Sequence, residues 1–333
     1  MKKALSVLLV LVMVLGTFSG CGGTPVPTPP ANSGSAGSGD AGAPLSFKIG
    51  GGPSGSTNYV VAAGFASLLN KTYPNYTATA EITIGTQENI RYVQSGEYLM
   101  CLAMMDSVVC AYEGTREYSP DDAGKFNLVL CGNATVLHLM VPENSSIQTF
   151  ADLAGKNVGV SNGVMSQYYF PMLLEAYGMT ADQMNITNLA LQDMCDGMAD
   201  GTFDAIFHVV GVGSGPISDL AVTTGIRFLP LSDDICAKVR ETNPYWDVDV
   251  VPAGSYEQTE DTQTLSTTIA LIASVDCPDQ VVYDMLKMIL ENPDEITAIH
   301  SISGEYNKEN ALKSTLIPIH PGAERYYKEI GMM

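Results

Sequence analysis

Apolar residues along positions 45–333 come in short runs punctuated by Gly, Ser, Thr and Asp, and two periods take turns. Ser46–Ile49 is short and apolar at alternate positions, which predicts a strand; a Gly-rich turn and a helix over Thr57–Leu69 follow. Tyr76–Ile84 alternates and is Thr-rich, predicting a second strand, with a helix over Gln87–Ser95 and a strand over Tyr98–Met104. Asp106 is placed to cap the next helix. The same strand–turn–helix rhythm returns with Asn157–Ser161 into Met165–Tyr177, Ile186–Leu191 into a helix around Met194, and Phe203–Val209 into Ile217–Thr224. Such alternation predicts α/β sheets covered by helices.

Two longer apolar strands, Asn127–Val141 and Thr264–Val275, bracket the middle third. In a protein of two α/β lobes these are natural crossovers, leaving the first lobe discontinuous. Gln280–Leu290 then carries Val281, Met285 and Ile289 at i, i+4 and i+8, a helix face for the core.

The N-terminus has another pattern. Met1-Lys2-Lys3 is basic, and Ala4–Leu15 is an apolar run too short to span a bilayer comfortably. Phe18-Ser19-Gly20-Cys21 closes it and resembles the lipobox of bacterial lipoproteins, with Phe18 where Leu, Val or Ile is usual. This resemblance implies a leader over residues 1–20 and lipidation of Cys21, which would anchor the protein to the membrane outside the cytoplasm. Residues 21–44 hold Gly, Ser, Pro, Thr and Ala with a single charge, Asp40, a composition expected of a flexible tether.

Composition then removes options. The chain of 333 residues is 46% hydrophobic, which excludes wholesale disorder. Its net charge is −20; without Lys2 and Lys3, basic residues fall from 16 to 14 against 36 acids, giving −22. So acidic a chain lacks the broad cationic surface that nucleic acid requires. Six cysteines remain after Cys21, none in a CxxC or zinc-like spacing and most inside apolar runs, so buried free thiols are expected.

Gly50-Gly51-Gly52-Pro53-Ser54-Gly55 satisfies G-x-G-x-x-G after a strand and before a helix. Pro53 interrupts the turn, no acidic residue ends the next strand at the expected distance, and no Lys follows to make a P-loop. A nicotinamide cofactor is therefore not expected, nor any other cofactor or metal. Ser56 and Thr57 instead place hydroxyls at a helix N-terminus, which suits a carboxylate or phosphate on a small ligand, or a plain helix cap. Similar turns precede helices at Gly85–Asn89, Met105–Ser107 and Ser161–Ser166. In open α/β sheets these are the strand ends where ligands bind. Of the four histidines, His208 lies at a strand end near Gly211, where it could face a cleft; His138 lies in an apolar strand and reads as structural. There is neither a G-x-S-x-G elbow nor H-E-x-x-H, so the chain does not read as an enzyme.

With these residues in view, the chain resembles the TAXI family, the solute-binding subunits of one class of TRAP transporter. The resemblance rests on Ile49-Gly50 with Ser54-Gly55-Ser56-Thr57-Asn58-Tyr59, and on Gly85-Thr86-Gln87-Glu88-Asn89-Ile90-Arg91. It also rests on Asp106 ahead of Ala111-Tyr112-Glu113-Gly114-Thr115, on Asp200–Phe207 and on Pro252-Ala253-Gly254-Ser255-Tyr256, and it runs from about residue 46 to 328. It implies a two-lobed, type II periplasmic-binding-protein-like α/β fold, with lobe 1 over 45–137 and 266–333, lobe 2 over 138–265, and two crossover strands between them. It further implies a small, carboxylate-bearing solute (glutamate, glutamine or an oxo acid) held in the interlobe cleft and passed to a TRAP-type membrane permease. The implied contacts are Ser54, Gly55, Ser56, Thr57, Tyr59, Glu88, Asn89, Asp106 and Ser107 on lobe 1, and Asn162, Ser166, Gly211 and Val212 on lobe 2; His208 is added from its strand-end position. Met104-Met105 replaces the family's Gln-Ser, which favours a larger or more apolar ligand. A cell-surface ligand sensor signalling to a membrane partner is the alternative function.

Overall fold

The computed structural model describes residues 44–333; the leader, Cys21 and all of the tether before Pro44 lie outside the described residues. Among the described residues ten strands join one sheet. In chain order these are β1 (Leu45–Gly52), β2 (Tyr76–Ile82), β3 (Met100–Met104), β4 (Phe126–Pro142), β5 (Asn157–Ser161), β6 (Asn185–Leu189), β7 (Ala205–Val210), β8 (Ile226–Phe228), β9 (Asp247–Val251) and β10 (Thr262–Ser274). The order across the sheet is β2-β1-β3-β10-β4-β7-β5-β6, with β8 on β4 and β9 on β10. β1, β2 and β3 are mutually parallel, as are β5, β6 and β7, while β4 and β10 run antiparallel to their neighbours.

Helices fill the connections: α1 (Thr57–Thr72), α2 (Thr86–Gln94), α3 (Met105–Glu113), α4 (Phe170–Tyr177), α5 (Leu191–Ala199), α6 (Gly215–Thr224), α7 (Asp233–Thr242), α8 (Asp279–Glu291), α9 (Pro293–Ile299) and α10 (Pro321–Glu329). No helix among the described residues is long and apolar enough to cross a membrane. Parallel strands covered on both faces need continuous rather than alternating apolar sequence, and all five residues of β3 are buried. The stripe Val281, Met285 and Ile289 of α8 is buried as its spacing predicts. All six described cysteines are buried free thiols, small apolar residues of the core.

The two long strands change partners part-way along. β4 pairs with β10 through Phe126–Val136 and with β7 through Val136–Met140. β10 pairs with β9 through Thr262–Ser266 and with β3 through Ile269–Ala273. Gly132 falls at a register shift in the β4–β10 ladder, and a Cβ there would run into the Tyr306 ring, so only glycine lets that ring pack against the strand.

Two expectations need correcting. Asp106 does not cap α3: the N-cap position is Met104, without a side-chain bond, and Asp106 sits inside the first turn. Met165–Tyr177 is not one regular helix either. Its first turn, Met165–Tyr169, is π-helical, with the Phe170 N–H bonded to the Met165 carbonyl, and α4 begins there. Pro171 has no N–H for a regular i→i−4 bond at that point, and the wider turn is the local answer.

Candidate functional site

The glycine run after β1 is explained by packing. A Cβ at Gly50 would lie 2.6 Å from Asn89 Oδ1, and one at Gly51 would lie 2.8 Å from the Cα of Tyr59. The glycines thus bring α1 and α2 against the strand; they do not open room for a pyrophosphate. Ser56 is the N-cap of α1, its Oγ accepting from the Tyr59 N–H at 3.3 Å. Ser54 and Gly55 are exposed, and Thr57 and Tyr59 are half-buried in the first turn.

Asn89 is wholly buried and its amide is committed inside the fold. It donates to the Gly51 carbonyl at 3.1 Å and to the Leu102 carbonyl at 2.9 Å, and accepts from Thr83 Oγ1 at 2.7 Å. It ties together the ends of β1, β2 and β3, so it positions loops. Glu88 accepts from the Ile84 N–H at 2.7 Å and closes the turn after β2.

Asp106 is the centre of a buried polar network. Its Oδ2 accepts from Arg116 Nη1 at 2.8 Å, and its Oδ1 accepts from the Tyr169 hydroxyl at 2.5 Å. Arg116 Nη2 donates to the Tyr245 hydroxyl at 2.5 Å, which in turn donates to Asn243 Oδ1 at 2.9 Å. The guanidinium carbon lies 4.7 Å from the Tyr168 ring centre and 5.4 Å from that of Tyr245. Gln87 binds both Glu117 and Gln167. Burial acts to lower the Arg116 guanidinium, and the Asp106 carboxylate more than reverses it; burial in turn raises the Asp106 carboxyl above its usual range, against the pull of Arg116 and Tyr169. Burial and the Asp106 charge raise the Tyr169 phenol well above its usual range, which keeps the proton on Tyr169 as the donor. Ser107 Oγ, Glu117 Oε2, Tyr118 OH and Trp246 Nε1 are buried around this network without partners.

The second set of loops ends β5 and β7. Asn162 is exposed, and Ser166 donates to the Gly163 carbonyl at 3.1 Å. His208 Nδ1 meets Ser161 Oγ at 2.6 Å, and His208 stands opposite His138 in the β4–β7 ladder. His138 is wholly buried, its Nδ1 on the Val136 carbonyl at 2.7 Å, with Phe228 and Tyr256 edge-on to its ring. Burial holds His138 down to about 4; burial, then His138, holds His208 down to about 3. Gly211 is buried against Ile302, 2.4 Å from where a Cβ would be, and Val212 is half-buried. The Tyr256 hydroxyl accepts from the N–H groups of Gly213 and Ser214 at 2.7 and 2.9 Å and so fixes this loop.

The candidate residues therefore lie on two edges, the carboxyl ends of β1–β3 and those of β5 and β7. The edges meet through Asp106–Tyr169 and Gln87–Gln167, and Arg116 reaches Tyr245 in the connection between α7 and β9. No described hydrogen bond joins the Ser54–Tyr59 loop to the second edge. Surface hollows of about 300 and 400 Å³ lie elsewhere, with no candidate residue in their walls. Sequence reasoning missed Arg116, Tyr169, Tyr245 and Tyr256. Arg116 lies outside the loops singled out in the sequence: it follows α3 and returns to it past Gly114, which has φ of 68°.

Solved structures share this backbone arrangement. A protein from Bordetella bronchiseptica RB50 matches with a TM-score of 0.52 and 12% identity, over 86% of this chain and 98% of that one. XAC2383 from Xanthomonas citri, solved with ATP, gives 0.51 and 10%, over 86% and 96%. The periplasmic aliphatic sulphonate binding protein SsuA from Escherichia coli gives 0.48 and 15%, over 86% and 84%. The fold is the mixed α/β fold that these structures share. Residues 49–331 match the model of the NMT1-like family, and the chain belongs to that family.

Proposed function

We propose that the protein is an extracytoplasmic solute-binding protein that holds a small solute between its two edges and delivers it to a membrane transporter. The observation that carries this is the meeting of two sets of strand-end loops, one from each side of the partner exchange on β4 and β10. In this reading, the exchange divides the chain into lobes over 45–137 with 266–333 and over 138–265, which close on the solute. The Ser56 turn, Asp106, Asn162 and the Gly211–Ser214 loop face it. The sequence resemblance supports a carboxylate-bearing solute, a TRAP-type permease as receiver and a lipid anchor at Cys21.

The pairing of Ser161 with His208 has the look of a nucleophile and its base. A histidine held near 3 is a poor base at neutral pH, and the described bonds give it no acidic orienting partner. This supports binding rather than catalysis.

A thermal-shift screen of amino acids, dicarboxylates, oxo acids and alkanesulfonates tests the reading, because a ligand of the native state raises Tm by mass action. A saturable rise with at least one solute is expected; none with any would refute it. Uptake in vesicles driven by an ion gradient supports a TRAP-type receiver, whereas uptake requiring ATP assigns the partner to another transporter class.

A further inference from the structure

We propose that Arg116 is the residue that recognises the anionic group of the solute, and that the Tyr245 hydroxyl takes the guanidinium position which a solute carboxylate would claim. The inference rests on the solute-binding reading and names the group that sets its charge preference. Arg116 adopts a left-handed backbone, φ 55°, rare for a residue with a side chain and typical of functional sites that the surrounding fold over-determines. Its side chain is 16% exposed, and the described bonds engage just two of its N–H donors, one to Asp106 and one to Tyr245. The tyrosine offers a neutral oxygen, where a carboxylate would make a shorter, charge-assisted and bidentate contact.

A second observation points the same way. Of the four unpartnered buried groups around the network, Ser107, Tyr118 and Trp246 each carry an O–H or N–H donor, and Trp246 can only donate. Ser107 adjoins Asp106, Tyr118 follows Arg116 by two positions, and the Trp246 ring lies 4.9 Å from that of Tyr169. Three spare donors beside a cation with spare donors describe a receptor for an oxygen-rich anion. Asp106 balances the guanidinium and aims it; Glu117, whose Oε2 is also spare, limits the site to guests that present their anion to Arg116.

Calorimetry on the full chain, with acid and amide probes of matched shape (glutamate and glutamine, aspartate and asparagine), reads the proposal. The wild type should prefer the acid of its best-bound pair. Arg116→Gln should weaken the acid about tenfold or more, consistent with a lost charge-assisted contact, and leave the amide within about threefold. Arg116→Lys should recover part of the preference. Because a lone Asp106 can unfold the variant, Asp106→Asn/Arg116→Gln provides a neutral pair in the same positions. If both variants weaken acid and amide equally, Arg116 is a packing residue and the inference is wrong, though solute binding stands. If no probe or screened solute binds the wild type, the solute-binding reading fails and takes this inference with it.

Discussion

At the end of β3 the buried polar groups are charged, whereas at the end of β7 they are neutral. Asp106 is buried with the Arg116 guanidinium and the Tyr169 hydroxyl each giving it a hydrogen bond, which opposes the rise that burial imposes on its carboxyl. His138 enters as a neutral ring and His208 lies half-buried opposite it, each with one nitrogen committed and both lowered from the usual histidine range, chiefly by burial. A charged pair is directional and discriminates between guests, but it fails badly when one partner is lost. A neutral pair costs less to bury and supplies shape, and it fails only when protons are added. The second edge accordingly carries neutral groups, with the Gly213 and Ser214 N–H groups engaged by the Tyr256 hydroxyl.

Breaking the charged edge should have the largest effect. Asp106→Ala leaves Arg116 buried without its carboxylate and should cost about 3 kcal/mol or more in urea unfolding, while Asp106→Asn should cost clearly less. A loss below about 1 kcal/mol for Asp106→Ala would mean that the guanidinium is well solvated and the two edges differ little.

Acid should break the neutral edge next. The folded-state values of His138 and His208 lie below the unfolded value near 6.5, so the unfolded chain binds protons that the folded chain refuses. Their contribution is complete above about pH 6.5 and is lost as pH falls towards 4 and then 3. For His138 it is roughly 3 kcal/mol at most. Tm should therefore fall over this window, and His138→Phe, suited to its aromatic setting, should flatten the fall while leaving Tm near pH 8 little changed. An identical pH profile for the variant would remove His138 as the cause.

The smallest effect should come from Tyr256→Phe, which strips the hydroxyl from Gly213 and Ser214 at a cost of about 1–2 kcal/mol. Amide exchange at those two positions should accelerate more than exchange in β7. Uniform acceleration would show that Tyr256 supports the core rather than the loop.

Much of the framework is legible one segment at a time. Asn157–Ser161 is a strand over those residues, and the predicted crossovers lie within one or two positions of β4 and β10. Long apolar runs and strict periods are local properties, and burial on both faces leaves no other reading for them. β8 and β9 were not legible, being short and half-polar; they are strands because β4 and β10 offer them an edge. The last stretch of chain likewise lies on β4, with the Leu128 N–H bonded to the Pro318 carbonyl, a pairing no local pattern announces.

The site divides on the same line. Sequence placed Ser56 at the start of a helix and His208 at a strand end, because each depends on neighbours a few residues away; that the glycines serve close packing appears only in the fold. It set Asp106 as a cap because nothing nearby competes for that role. The tertiary fold gave Asp106 its partner Tyr169, 63 positions on, and gave Arg116 its partner Tyr245, 129 positions on. Local sequence fixes which groups reach the strand ends. Which of them meet is settled when β4 and β10 bring the two edges together, since a buried charge takes whatever partner the packing supplies.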